Sequence, residues 1–279
     1  MPGDTVSEDR RNPRTRANAL LGLFQSDHDL DMVGDFEHEA GLEKLEEAAI
    51  AEAKAAGKTD EEIKGIYYTM YGGGSAQDVI RRHLDSGVLL ELIEKWQAKL
   101  LAVPEEFQFF DPCYEYVLLG ACAMTLGCTL PESYLSMLKR VYTEGGLMPD
   151  ALKQMKKALF GPDGFENGTP YDFESEGLLE TAASSTAEPG PLGWVGLNVI
   201  GPGGFWNTGM GDSTTSSIIK ELRSQHNRPS ACGSCGTEEG KDGGALFVCS
   251  RCKARKYCGP ACQKSHWKVH KKICELAEK

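Results

Sequence analysis

Eight potential metal ligands lie within 43 residues near the C-terminus. This stretch holds seven of the ten cysteines and two of the six histidines of the chain. Two Cys-x2-Cys pairs are followed by two pairs whose members are four residues apart: Cys232, Cys235, Cys249, Cys252, Cys258, Cys262, His270 and Cys274. A structural zinc ion takes four thiolate or imidazole ligands at about 2.0–2.3 Å. The sequence therefore predicts two bound zinc ions.

The spacing leaves open how the eight ligands are divided between the two ions. In a sequential division the first two pairs hold one ion and the last two pairs the other. In an interleaved division the first and third pairs share one ion, and the second and fourth pairs share the other. Either division gives one site of four cysteines and one site of three cysteines and a histidine.

The two kinds of spacing predict two kinds of local structure. A Cys-x2-Cys pair suits a tight turn, and Gly233 and Gly236 are expected to supply the flexibility of the first one. Residues four apart share one helix face. We therefore expect the last two pairs to lie on helical turns.

A disulfide framework is the competing interpretation of these cysteines, since disulfides are typical of small secreted domains. The first residues, MPGDTVSEDRRNPR, lack the apolar segment of a signal peptide. No run of 18 apolar residues occurs, so we expect no membrane span. We therefore expect an intracellular protein, in the cytoplasm or nucleus, whose thiols stay reduced and bind metal.

The last ligands lie in a run of residues that resembles the MYND-type zinc finger. The matching steps are Tyr257-Cys258, Cys262-Gln263, Trp267-x2-His270-Lys271 and the closing Cys274. The resemblance covers residues 232–274 and says nothing about the residues before them. It implies the interleaved division, with one ion on Cys232, Cys235, Cys258 and Cys262, and the other on Cys249, Cys252, His270 and Cys274.

His266 competes with His270 for the place of the fourth ligand. It lies four residues after Cys262 and four before His270, so helical spacing alone does not exclude it. The resemblance places the ligand at His270. His266 is then expected to be a surface residue of the helix.

Fingers of the MYND type bind short proline-containing peptides, of the PxLxP kind, as an added strand. The resemblance places Gln263 and Trp267 at the recognition positions. Trp267 has a second interpretation, in which its ring covers the small core beside the metal. The implied partner is a protein that offers a proline-containing or proline-rich segment.

Charge is distributed unevenly along the chain. From Arg228 to the end there are eleven basic and five acidic residues, a formal charge of +6, whereas the residues before them carry −17. Seven thiolates and two zinc ions together add −3, so the loaded finger is near +3. The acidic remainder repels phosphate. We therefore expect a protein partner rather than a nucleic acid.

The chain upstream of the finger predicts a mainly α fold. We expect a disordered arm (1–16), a helical domain of unknown function (17–180), a Gly/Pro-rich segment with a short helix (181–228) and the finger (229–279). Strong helix formers fill 40–56, and Thr59 and Glu62 have the capping-box spacing before a helix that ends at Gly72. Further helices are predicted at 79–100, 131–144, 149–160 and 213–225. Cys113, Cys122 and Cys128 are expected in the core.

No catalytic motif accompanies the finger. SET-domain methyltransferases with MYND fingers carry an Asn-His step that is absent here, and the phosphate-loop, GxSxG and HExxH patterns are absent too. Both zinc ions would be fully ligated by protein, which leaves no open position for a substrate. We therefore predict a non-catalytic adaptor. The alternative is an enzyme or regulatory subunit, and a pocket lined by shifted carboxylates or His83 would favour it.

Overall fold

The computed structural model of the chain describes residues 22–71, 76–102, 112–175, 216–240 and 243–275. These residues are mainly helical, with a C-terminal cysteine-rich region, so the predicted fold class is confirmed. The predicted N-terminal arm (1–16) and residues 181–215 of the predicted Gly/Pro-rich segment (181–228) lie outside the described residues. None of the described helices is both long and apolar enough to cross a membrane.

Nine helices and one π-helical turn precede the finger in the described residues. They are α1 (Asp27–Glu39), α2 (Leu42–Ala55), α3 (Asp60–Lys64), α4 (Gln77–His83), the π turn (Leu84–Val88), α5 (Leu89–Leu101), α6 (Cys113–Leu126), α7 (Glu132–Val141), α8 (Pro149–Phe160) and α9 (Ser217–Asn227). The finger contains β1 (Phe247–Val248), β2 (Lys256–Tyr257) and α10 (Pro260–His270). We call residues 22–175 the body and residues 231–275 the finger.

Helix α6 is the centre of the body. Its sequence, CYEYVLLGACAMTL, is apolar on every side, so the helix can be stable only when it is surrounded by others. It packs against α1, α4, α5 and α7. Cys113, Cys122 and the following Cys128 are fully buried in this core, as predicted.

The capping box at Thr59 and Glu62 is confirmed, but the predicted length of the helix after it is wrong. Helix α3 ends at Lys64 rather than near Gly72. The next residues are not helical, and carboxylates from other helices bind their backbone N–H groups. Met70 donates to Glu37 at 2.7 Å, and Tyr68 donates to a second glutamate at 2.9 Å. These tertiary contacts replace the hydrogen bonds of a longer helix.

The helix predicted over 79–100 exists but is interrupted. The π turn separates α4 from α5, and within it Gly87 has a φ of 123°, a value that favours glycine. His83 lies just before this turn, and its Nε2 contacts the carbonyl oxygen of Ala40 at 2.8 Å. The chain thus bends between two shorter helices that pack separately around α6.

Helix α9 joins the body to the finger, because it contacts both. Its residues Ile218, Ile219 and Leu222 are buried in the apolar core of the body. The side chains of Arg223 and Asn227 donate to the carbonyl oxygens of the last two residues of α5, each at 2.8 Å. These carbonyls have no partner within the helix that they end. The opposite side of α9 faces the finger and packs on α10.

Candidate metal centre

The eight predicted ligands form two groups in space. Within each group the ligand atoms all lie within 4.8 Å of one another. One group, the all-cysteine cluster, consists of Cys232, Cys235, Cys258 and Cys262. The other, the histidine cluster, consists of Cys249, Cys252, His270 and Cys274. This is the interleaved division that the resemblance implied and that spacing alone did not select.

The distances within the clusters fit a tetrahedral ion and exclude disulfides. In the all-cysteine cluster, Cys258 Sγ lies 3.4 Å from Cys262 Sγ and 3.6 Å from Cys235 Sγ. In the histidine cluster, Cys249 Sγ lies 3.8 Å from Cys274 Sγ. A disulfide needs about 2.05 Å. Thiolates at about 2.3 Å from a tetrahedral zinc ion lie about 3.8 Å apart. The donor atoms therefore suit zinc.

The first two ligand pairs occupy two turns of the same geometry. The backbone N–H of Gly236 donates to the carbonyl of Cys232 at 2.9 Å, and that of Lys253 donates to Cys249 at 3.0 Å. Both donors have left-handed φ values, 75° for Gly236 and 57° for Lys253. Each turn directs two sulfurs and several N–H groups to one side. The sequence indicates the turn at Gly236, but not at Lys253.

The prediction that both later pairs lie on helical turns is only partly correct. Helix α10 contains Cys262 and His270, whereas Cys258 precedes it and Cys274 follows it. Pro260 occupies the start of the helix, and proline favours the first helical position. One helix therefore supplies one ligand to each ion, which ties the two clusters together.

Two of the thiols favour the thiolate form. Burial raises the pKa of Cys232 and Cys249, but hydrogen bonds from backbone N–H groups outweigh it, and each pKa falls to about 6. Hydrogen bonds with Cys262 and Cys235 raise the pKa of Cys258 to about 12. Thiols this close cannot all ionise without a cation, because neighbouring thiolates repel. A divalent metal ion removes this repulsion and displaces the remaining protons.

The two histidines of α10 have different surroundings. Nε2 of His270 faces the thiols of the histidine cluster, 3.5 Å from Cys252 Sγ. His266 lies outside both clusters. Its Nδ1 is 3.2 Å from the Tyr257 hydroxyl, and its Nε2 is 3.1 Å from Glu221. Both of its ring nitrogens are engaged, so His266 is a partly buried linking residue rather than the surface residue that we expected.

A buried ionic cluster, which the sequence reasoning missed, connects α9 with the finger. Glu221 is 4% exposed and Arg255 2% exposed, and Arg255 Nε lies 3.1 Å from Glu221 Oε1. Arg255 also donates to the Ser224 hydroxyl at 2.7 Å. We call Glu221, Ser224, Arg255 and His266 the ionic cluster. A sequence signal existed, because Glu221 lies three residues after Ile218 and therefore next to the apolar stripe of α9, where an acidic residue is unusual.

Gly233 is required for space rather than for turn conformation, which corrects the expectation from the sequence. A Cβ at this position would lie 2.4 Å from Arg255 Nε and 3.0 Å from His266 Nδ1. Its φ is not in the left-handed range. The backbone N–H of Gly233 also donates to the carbonyl of Lys256 at 2.9 Å. The ionic cluster can therefore approach the first turn only because Gly233 lacks a side chain.

Gln263 and Trp267, the two predicted recognition residues, line one surface groove of about 320 Å³. Pro260 and Lys264 line the same side, since all four belong to α10. The opposite side is the turn of the second ligand pair, formed by Cys249, Ser250 and Arg251. The Trp267 side chain is 39% exposed, and its ring lies 5.9 Å from that of His270. Trp267 therefore both covers a ligand and faces the groove.

An open strand edge leads to this groove. β2 pairs with β1 on one side and with Cys232 on the other, so β2 is the central strand. In the described residues β1 has no partner beyond β2, and both Phe247 and Val248 are exposed. Cys249, the next residue, already lines the groove. An extended peptide beside β1 would thus continue into the groove.

The ionisable residues of the body that the alternative hypothesis required have structural partners. Asp29 is a buried carboxylate and Glu37 a partly buried one, and burial raises the pKa of each. Each accepts a hydrogen bond from a nearby backbone N–H, at 2.8 Å and 2.7 Å respectively. His83 contacts a backbone carbonyl. These three groups of the described body therefore each hold local structure.

Residues 232–274 match the family model of the MYND finger (zf-MYND), which confirms the resemblance. The rest of the chain matches no family model. The comparisons with curated proteins and with solved structures gave no match. The finger is therefore a zinc-binding module of a protein-interaction family, and its two clusters fit two zinc ions.

Proposed function

We propose that the protein is a non-catalytic adaptor whose finger binds a proline-containing segment of a partner protein. The observation that supports this proposal most directly is the groove of the finger. Gln263 and Trp267 lie together on its wall, and the open edge of β1 leads into it. A peptide can thus obtain backbone hydrogen bonds from the strand and side-chain contacts from the groove.

The groove favours a ligand that loses little entropy on binding. Trp267 offers a broad, half-exposed ring, and the strand edge next to it accepts only extended backbone. Proline already restricts the peptide to an extended conformation before binding. Proline rings also pack well against aromatic side chains, which is how other proline-binding domains recognise them. A PxLxP segment fits both requirements.

The positive charge of the groove wall adds a preference for acidic residues in the ligand. Arg251 and Lys264 line opposite sides of the groove, and none of the residues that line it is acidic. An acidic residue next to the proline motif would therefore be attracted from both sides. We propose a partner segment that combines a PxLxP-type core with an acidic flank.

The absence of catalysis is part of the same proposal. Each cluster already supplies four protein ligands, the number that a structural zinc ion takes, so neither ion would hold a substrate. We also propose that the protein acts inside the cell, in the cytoplasm or nucleus. Seven thiolate ligands stay reduced there.

The test uses the full-length, zinc-loaded protein and fluorescent peptides with a PxLxP core, with or without an acidic flank. We expect saturable binding, stronger for the acidic peptide, and a loss of affinity of about tenfold or more for Trp267→Ala. Tyr67→Ala is the matched control, because Tyr67 is an exposed aromatic residue of the body. Absence of saturable binding at millimolar peptide, or equal effects of the two substitutions, would reject the proposal.

A further inference from the structure

Glu221 lies outside the residues that match the finger family, yet its carboxylate reaches the histidine cluster. Oε1 is 3.7 Å from Nδ1 of the ligand His270, and Oε2 is 3.1 Å from Nε2 of His266. Glu221 and His270 are 4% and 1% exposed. Helix α9 therefore places one buried carboxylate directly behind a metal ligand.

The two ring nitrogens of His270 divide two roles between them. Nε2 faces the thiols of its cluster, whereas Nδ1 faces Glu221. When one nitrogen of an imidazole binds a metal, the other carries the proton and donates it to an acceptor. Zinc-bound histidines typically donate to a carboxylate, a carbonyl or water, and this contact fixes the ring. Glu221 is placed to be this acceptor.

The polar atoms between α9 and the finger are buried but incompletely hydrogen-bonded. Glu221 Oε1, Arg255 Nε and His270 Nδ1 are inaccessible, and none makes a hydrogen bond of normal geometry. Glu221 Oε1 lies 3.1 Å from Arg255 Nε and 3.7 Å from His270 Nδ1, both within the range of an ion pair. Leaving such groups unsatisfied is costly in a protein interior. A hydrogen bond between His270 Nδ1 and Glu221 Oε1 would satisfy two of them at once.

We propose that Glu221 is a positioning residue for the zinc ion of the histidine cluster, acting from outside the finger. Its carboxylate accepts the Nδ1 proton of His270 and holds Nε2 towards Cys249, Cys252 and Cys274. Arg255 balances the charge of the carboxylate and keeps it in place. The metal centre then includes α9, and through α9 the zinc affinity of one cluster depends on the body.

The two metal sites should respond differently to a substitution of Glu221, because only one of them contains His270. Full-length Glu221→Met and Glu221→Ala proteins are loaded with cadmium or cobalt, so that the all-cysteine and histidine-containing sites give separate spectroscopic signals. Chelator competition then measures the affinity of each site. We expect the histidine-containing site to lose about 10–100-fold in affinity, the usual effect of removing such a partner, while the all-cysteine site is unchanged.

Ser224→Ala is the matched control, because Ser224 lies on the same helix and contacts Arg255 but not His270. This substitution should leave the ratio of the metal affinities of the two sites unchanged. An equal loss at both sites in Glu221→Met would show that Glu221 only supports the fold, and no loss at either would show that it has no role. Either result overturns the proposal. Glu221→Met nearly preserves side-chain size but removes the acceptor, so it remains informative if Glu221→Ala does not fold.

Discussion

The body and the finger bury very different materials. The body encloses a continuous apolar core around α6, to which nearly all of its helices contribute. The core of the finger consists of Tyr257 and three ligand cysteines, Cys232, Cys249 and Cys274. So few apolar side chains cannot offset the entropy of ordering a chain of this length. The difference teaches that metal and buried charge replace apolar burial in the finger.

Removal of zinc should have the largest effect and should separate the two regions most clearly. Structural zinc sites contribute about 10–16 kcal/mol in small fingers. We expect chelation to abolish the protection of backbone amides in residues 232–274 and to preserve it in α6. Hydrogen–deuterium exchange measures both regions in one experiment. Helix α9 should stay largely protected, because Ile219 and Leu222 are buried in the body. A finger that stays protected without metal would contradict the comparison.

Leu118→Ala tests the other side of the comparison, the apolar core of the body. Leu118 is fully buried in α6, and the substitution leaves a cavity, so we expect a loss of about 2–5 kcal/mol in the free energy of unfolding. Leu90→Ala is the control, since Leu90 is 48% exposed on α5, and it should change stability by less than about 0.5 kcal/mol. Thermal unfolding measures both. The Leu118→Ala protein should still bind two zinc ions at temperatures where it remains folded. Loss of zinc binding under those conditions would show that the finger depends on the apolar core of the body.

Gly233→Ala tests the polar packing of the finger, with a smaller expected effect. The new methyl group would meet Arg255, which Glu221 and Ser224 hold in place. Such overpacking costs about 1–3 kcal/mol. We expect lower zinc affinity in chelator competition. Gly259→Ala is the control in the same finger, because no atom lies within 4 Å of its added Cβ. Equal effects of both substitutions would mean that the ionic cluster can move aside.

Much of the fold could be predicted because its signals are local. The capping box at Thr59, the helix at Pro149–Phe160 and the buried Cys122 follow from residue types and spacing. One error occurs where a distant residue competes with a local preference. Helix α3 is short because Glu37 captures the N–H of Met70, and this contact is not visible in the sequence near Met70. The helix at 79–100 bends at Gly87, which is a local signal, but the sequence does not show that the helix bends there rather than continuing.

The sequence by itself determined that the C-terminal region binds two zinc ions through a MYND finger. Zinc needs four soft ligands at short range, and pairs separated by two residues bring such ligands together locally. The resemblance to the MYND finger implied the interleaved sets, but only the tertiary structure brought each set together in space and showed the different surroundings of His266 and His270. It alone placed Glu221 behind His270. These features depend on distances between residues far apart in the chain, which folding sets and spacing does not encode.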